Sequence, residues 1–185
     1  HDFPHLKLVG IVDSDVGLSG GDLRASERTF QVLQQVSGRS GRHSQKEEDK
    51  GIVLIQTYDS KNPIINAIAK NNRNEFFDKE LMSRQNANMP PYGRLASIIL
   101  SSRLERKLET FSSELLKSAP LFKNVKIFGP APAPIYLLRG RYRRRFLIKF
   151  DKNVNIQDVI LNWTKKINTP NYIKLTIDID PFSFM

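Results

Sequence analysis

The sequence predicts an α/β segment followed by a separate α+β unit, and three observations predict it. Two short, almost continuously apolar runs, Leu6–Val12 and Gly51–Thr57, flank a stretch with helical spacing, as strands of a buried parallel sheet flank their crossover helix. A second helical pattern fills residues 62–88. Beyond Met89-Pro90-Pro91 the periodicity changes again, to four strand-like and two helix-like segments. A chain of 185 residues can bury one good core or two small ones, and this pattern favours two.

Each element follows from local chemistry. Leu6–Val12 ends at Asp13 and Asp15, and a loop through Gly17, Gly20 and Gly21 leads into a helix over about 24–37, where Phe30, Leu33 and Val36 recur at helical spacing. Gly51–Thr57 is the second strand. Ile64, Ile65 and Ile68 share one helical face, then Phe77 and Leu81 lie four apart, until the double proline stops the helix. Leu95–Leu100 reads as a strand, and Ser102 with Glu105 as a capping box for a helix carrying Leu104, Leu108, Phe111 and Leu115. Val125–Phe128 is a short strand, Gly129–Pro134 a proline-rich link, and about 143–150 the next strand. Ile156, Val159, Ile160, Trp163 and Ile167 mark a helix, and Ile173, Leu175, Ile177 and Ile179 alternate with polar residues in a last half-buried strand. The order βαββαβ is the split-βαβ, ferredoxin-like pattern. The expected division is residues 1–61 for the α/β segment, 62–91 for a helical connector and 92–185 for the ferredoxin-like domain.

Composition narrows the functions. Lys+Arg 29 against Asp+Glu 19 gives a net charge of +10, which favours a polyanionic partner without identifying one. Cysteine is absent, which excludes disulfides, thiol catalysis and Cys-based zinc sites in this chain. His1, His5 and His43 lack metal-ligand spacing, so no metal site is expected. There is neither a signal-peptide pattern nor a span of about 20 apolar residues, so a cytoplasmic protein without a membrane partner is expected.

The densest chemistry lies at Gln35-Val36-Ser37-Gly38-Arg39-Ser40-Gly41-Arg42, where two arginines sit three apart in a glycine-rich turn after a helix. Arginine's planar fork gives phosphate paired hydrogen bonds and a charge that does not titrate. The alternative is a helix end with cations near its dipole, finished by glycine. On the first reading Gly38 and Gly41 allow a sharp turn and the two guanidinia share an anion.

With Gln35 included, the run resembles motif VI of superfamily 2 helicases, Q-x-x-G-R-x-x-R. The flanks sharpen the resemblance: His1-Asp2-Phe3-Pro4, Leu8-Val9-Gly10-Ile11-Val12 with Asp13-Ser14-Asp15, and Leu23-Arg24-Ala25-Ser26-Glu27-Arg28 are similar to motif V and its sequel in the primosomal protein N′ (PriA) family of replication-restart helicases. It continues through Gly51–Thr57, Glu80-Leu81, Arg84 and Pro90-Pro91-Tyr92, then more sparsely through Gly129–Pro134, Arg141-Tyr142-Arg143 and Asp178–Pro181. Ser37 and Ser40 stand where the family has alanines, and a polar insert, 43–50, follows motif VI.

The resemblance implies a fold and an activity. The first segment would be the end of a RecA-like helicase lobe in a longer protein, since the chain opens on a histidine inside motif V. The full-length protein would be an ATP-dependent 3′→5′ DNA helicase acting in replication restart and primosome assembly. Arg39 and Arg42 would stabilise charge on the γ-phosphate, with Gln35 positioning water or phosphate and Asp13 and Asp15 beside the nucleotide. ATP and magnesium would be cofactors of the whole protein and zinc would bind outside this chain; alone, the chain would hold none of them and be inactive. Two other readings stay open, a non-catalytic nucleic-acid or SSB-binding module and a different superfamily 2 translocase.

A second concentration of charge is Arg139, Arg141, Arg143, Arg144 and Arg145, beside Tyr136 and Tyr142. If 139–150 is extended, Arg139, Arg141, Arg143, Arg145 and Lys149 share one face, with Tyr142, Phe146, Ile148 and Phe150 on the other. The plain alternative is an edge strand guarded by charge. The resemblance implies that this domain binds DNA or the acidic C-terminal tail of the single-stranded DNA-binding protein, SSB, with Arg141-Tyr142-Arg143 matching the arginine-bearing segment of the tail site and other primosome proteins as partners; the basic face adds Arg139, Arg145 and Lys149 as candidate contacts.

Overall fold

A computed structural model describes residues 6–18, 22–40 and 51–181, so Asp2, Gly41, Arg42 and the polar insert lie outside the described residues. The chain forms two compact units that divide between Glu80 and Leu81.

In the first unit β1 (Leu8–Ile11), α1 (Ala25–Ser37), β2 (Ile52–Ile55) and α2 (Pro63–Ala69) follow in order, and α3 (Arg73–Asn86) crosses the division. β1 and β2 pair in parallel from Leu8 with Ile52 to Ile11 with Ile55. Helix α1 has no side-chain cap at Arg24; instead Asp22 accepts from Arg24 N at 3.1 Å and forms an ion pair with Arg28 one turn on. The core is aromatic. Phe30 stacks on Phe76 with ring centroids 4.2 Å apart, Phe77 meets both edge-on, and Ile64 and Ala67 close the cluster. The single helical stretch expected over 62–88 is two helices. Asn71 interrupts it at φ 50, a left-handed conformation that asparagine tolerates, and Asn72 restarts it by accepting from Glu75 N at 3.1 Å.

The second unit runs β3 (Arg94–Ser102), α4 (Glu105–Lys117), β4 (Val125–Leu138), β5 (Arg141–Phe150), α5 (Ile156–Lys165) and β6 (Lys174–Ile179). Its sheet has the order β4-β5-β3-β6 and is antiparallel throughout. Each of the two βαβ halves therefore has a strand of the other half between its own two, which makes an α+β unit. Even-numbered residues of β3 and β5 face the helices: Ala96, Ile98, Leu100, Phe146, Ile148 and Phe150 are buried against Leu108, Phe111, Leu115, Ile156, Ile160 and Trp163. Trp163 meets Phe146 edge-on at 5.4 Å and donates its indole N–H to Leu115 O at 2.9 Å, so its polar atom is satisfied inside the core.

Two expectations are corrected here. The proline-rich link is itself strand: β4 continues through Pro130, Pro132 and Pro134 to Leu138, with register shifts after Phe128 and Pro132. As an edge strand it can lack donors on the side that faces no neighbour. The capping box does not close either. Ser102 Oγ accepts from Leu104 N at 3.1 Å, whereas the Glu105 carboxylate accepts from the Tyr136 hydroxyl at 2.5 Å and does not reach back.

Truncating Trp163 to alanine should cost the second unit about 3–5 kcal/mol, the usual range for a buried aromatic. Ile177→Ala, at a side chain 41% exposed, should change stability by less than about 1 kcal/mol. Urea unfolding of both variants checks the pair.

Candidate functional site

The motif-like turn sits at the end of α1. Gly38 closes the helix in the right-handed region, at φ −67, with its N–H bonded to Gln34 O at 2.9 Å, so it does not use glycine's left-handed freedom here. The turn carries on beyond it: Arg39 N donates to Val36 O at 3.1 Å and Ser40 N to Ser37 O at 3.3 Å. Gln35 and Arg39 are both exposed, and a separation of four along a continuing helical turn puts them on one side.

The structure separates the residues proposed to contact nucleotide. Ser40 Oγ lies 3.5 Å from Ile52 O, at the amino end of β2. Asp13 and Asp15 belong to the other end. There Ser14 donates to Gln56 O through both its N–H and its hydroxyl, at 3.1 and 2.8 Å, and the Asp15 carboxylate accepts from Thr57 Oγ1 and Tyr58 N, each at 2.9 Å. Asp15 thus ties the carboxyl ends of the two parallel strands together, and Asp13, at φ 56, turns the chain between them. Thr57 was invisible as a site residue in the sequence because only pairing of the strands brings it to Asp15.

In the second unit the basic strand is extended from Arg141. Arg139 is not part of it: Arg139 and Gly140, at φ 49 and 71, form the two-residue turn that joins β4 to β5, both with the positive φ of a type I′ hairpin. Arg141, Arg143, Arg145 and Lys149 lie on the sheet face away from the helices, opposite the buried Phe146, Ile148 and Phe150. Tyr142 lies on the helix side against the core, its ring 5.6 Å from that of Tyr136.

The hydrogen bonds sort these cations. Arg141 donates through Nη2 to Ser101 O at 2.8 Å and through Nε to Ser101 Oγ at 3.3 Å, so neighbouring β3 fixes its guanidinium. Arg143 Nη1 donates to Ile135 O at 3.4 Å. Lys149 is held more fully: its ammonium donates to Ala87 O at 2.7 Å and lies 5.9 Å from the centre of the Phe128 ring. Arg144, on the helix side, forms an ion pair with Glu109 of α4. Ser101, Tyr136 and Glu105 brace this site; in the sequence Tyr136 stands out only as a neighbour of the arginines, Glu105 only as a helix cap, and Ser101 not at all. Among the described residues no group of three or more His, Cys, Asp or Glu could hold a metal ion, and no helix is long and apolar enough to cross a membrane.

Comparison with known proteins places the sequence in a family. The family model of the primosomal protein N C-terminal domain matches residues 85–182. The replication restart protein PriA of Rickettsia typhi is 44% identical over 184 residues, covering 100% of this chain and 28% of the relative. That of Synechocystis is 39% identical over 98% of this chain and 21% of its own length, and that of Bacillus subtilis 32% identical over 100% and 23%. The chain thus spans about a quarter of the length of these curated relatives.

The brace at Tyr136 has a pH signature. The hydrogen bond to Glu105 holds the Tyr136 hydroxyl above the ordinary tyrosine range, with desolvation and the carboxylate's charge acting the same way. A phenol raised by folding stabilises the fold fully below its unfolded value of about 10. That stabilisation is lost as the pH climbs through the raised folded value. Glu105→Gln should bring the Tyr136 titration back toward the ordinary value, read as phenolate absorbance against a Tyr136→Phe reference.

Proposed function

The chain belongs to the primosomal protein N C-terminal domain family, and on that footing we propose that it is the C-terminal part of an ATP-dependent 3′→5′ DNA helicase that restarts replication at stalled forks. In this reading the first unit is the end of a RecA-like lobe and the second a ferredoxin-like DNA-binding domain, working in the cytoplasm with other primosome proteins. The observation that carries it is the pair Gln35 and Arg39, four apart, both exposed, and on one side of the turn that ends α1.

That arrangement suits charge stabilisation and not nucleotide capture. The chain has no phosphate-cradling G-x-x-x-x-G-K-[ST] loop, so ATP and magnesium would be gripped by an upstream lobe, and zinc would likewise bind outside this chain. Arg39 and Arg42 would then approach the γ-phosphate from the second lobe, adding positive charge as negative charge builds on its oxygens. Gln35 would orient the attacking water. Asp15, tied to Thr57 and Tyr58 at the far end of the strand pair, would hold the loop that couples nucleotide state to DNA.

The outer face of the second sheet supplies the polyanion site. Arg139, Arg141, Arg143 and Arg145 line the hairpin and one strand face, a spacing that suits successive phosphates of a single strand better than one carboxylate. The acidic SSB tail is the second reading. It is favoured by one observation: Ser101 fixes the Arg141 fork in advance, as recognition of a single carboxylate would need.

Two measurements test the proposal. In the full-length protein Arg42→Ala, and likewise Arg39→Ala, should lower kcat of the DNA-stimulated ATPase by about 10³ with far less change in ATP affinity; an unchanged kcat returns the turn to a capped helix end. For this chain, binding to single-stranded DNA should fall with salt at a log-log slope of roughly −2.8, four phosphates at 0.7 each, while an SSB-tail peptide depending on Arg141 would show a much shallower slope.

A further inference from the structure

A cavity of about 530 Å³ lies in the first unit between β2, the end of α1 and α2, within the span of roughly 300–1,000 Å³ common to small-molecule sites. Its walls are branched and aliphatic, with Val53 and Ile55 from β2 and Ile65 and Ile68 from α2. Strand alternation puts Val53 and Ile55 on one face, while the exposed Ile52 and Leu54 take the other. Ile65 and Ile68, three apart, share one face of α2.

The polar groups in this wall are few, and their bonding is uneven. Thr57 Oγ1 is fully engaged, donating to Asp15 at 2.9 Å and accepting from Asp59 N at 3.0 Å. Asn66 uses both amide hydrogens, on Ser60 O at 3.0 Å and Asn62 O at 3.1 Å. That fixes the amide and leaves Oδ1 as an acceptor with no partner among the described residues. Ser37, the last residue of α1, also lines the cavity, and its hydroxyl is shielded from solvent without a hydrogen-bond partner. Such groups are rare in folded proteins, because water has been removed and nothing has replaced it.

Charge is missing here. Among the described residues none that lines the cavity is ionisable, in a chain of which 26% is charged; the comparable hollow beside α4 carries Lys117 and Lys123. A phosphate, carboxylate or ammonium group entering the cavity would leave water without gaining a counter-charge. That argues against nucleotides, nucleic acid and charged peptide ends. A purely apolar segment laid over the cavity is also unsuited, because it would cover Asn66 Oδ1 and Ser37 Oγ and satisfy neither. A neutral hydrocarbon body with one group that both donates and accepts meets every wall.

We propose that this cavity binds a small neutral apolar molecule carrying a hydroxyl. The ligand hydroxyl donates to Asn66 Oδ1 and accepts from Ser37, whose side chain turns about its Cα–Cβ bond to another staggered position, and the hydrocarbon lies against the aliphatic walls. The site goes beyond the helicase reading and does not depend on it. It adjoins the turn that carries Arg39, since Ser40 N donates to Ser37 O at 3.3 Å.

The probe is 2-phenylethanol, with ethylbenzene as a hydrocarbon reference and phenylacetate as the anionic one, each titrated without ATP or DNA into this chain carrying labelled methyl groups. The alcohol should shift the methyl resonances of Val53, Ile55, Ile65 and Ile68 saturably, and phenylacetate should leave them in place. Ser37→Ala should weaken the alcohol on the order of 5-fold, the contribution of one hydrogen bond, and leave ethylbenzene unchanged. Ala69→Phe, at an exposed position of the lining, should exclude both. No saturable shift, phenylacetate binding as tightly as the alcohol, or Ser37→Ala affecting alcohol and hydrocarbon alike overturns the proposal. So does undiminished binding to Ala69→Phe with an unchanged urea midpoint. Saturation-transfer measurements on the full-length protein must show the same alcohol binding and the same loss in Ser37→Ala; absence of binding there means that the rest of the protein covers the cavity, and overturns the site.

Discussion

Burial of Phe146, Ile148 and Phe150 to within 1% exposure is the constraint on which the rest of the second unit depends. A strand has two faces and successive side chains alternate between them, so once these three rings and branches fill the space beneath α4 and α5, residues 141, 143, 145 and 149 have only the outer face. The same logic runs through β3, which pairs with β5 on one side and β6 on the other and whose Ala96, Ile98 and Leu100 are fully buried. A slip of one residue would place the arginines in the core, where unpaired charge is prohibitive. Register, core and basic surface are therefore a single decision.

That decision is reinforced at the strand ends by charged and polar side chains. Arg94 forks onto Asp180, at 3.2 and 2.5 Å, while its guanidinium lies 5.2 Å from the centre of the Phe150 ring, which fixes the start of β3 to the end of β6. At the same edge Asn88, in the left-handed region, donates to Asp151 at 2.7 Å, and Gly93 must be glycine because a Cβ there would lie 2.3 Å from Asn88 O. Gly129 is fixed similarly, at φ 106 with Arg145 O 2.6 Å from where a Cβ would stand. These contacts hold the loop before β3 and the bend in β4, leaving the hairpin as the projecting end of a rigid sheet. In the first unit the corresponding clamp is Asp15 on Thr57 and Tyr58, which closes one end of the parallel pair while the Gln35–Arg39 turn adjoins the other.

Much of this was legible in the sequence, because the signals were periodic or positional. Alternation in 142–150 and 173–180 gave the strands their faces, helical spacing gave α1, α4 and α5, and the order βαββαβ gave the α+β unit. Where local rules competed with tertiary context, the context prevailed. Three alternate prolines argue against a strand until one knows that β4 is at the sheet edge. Ser102 and Glu105 have capping-box spacing, but Tyr136 takes the carboxylate from 31 residues away. Arg139 belonged to the arginine row by parity, yet the Gly140 that follows it makes the pair a turn, a signal present in the sequence and outweighed by the charge pattern.

By itself, then, the sequence determined the chemistry: which residues are cationic, which runs must be buried, and that a glutamine and two arginines stand at family spacing around a glycine-rich turn. These are properties of side chains and short periods, and they need no knowledge of what lies across the sheet. Only the tertiary structure decided which cations are braced and by what, that Lys149 is held by the Ala87 carbonyl while Arg141 is held by Ser101, that Asp15 and Arg39 lie toward opposite ends of one strand pair, and that Leu137 and Leu138 stand exposed beside the arginines. The contacts that hold Arg141, Asp15 and Lys149 join residues 40, 42 and 62 positions apart, and such contacts leave no periodic trace in the sequence because their partners are chosen by the fold and not by neighbourhood.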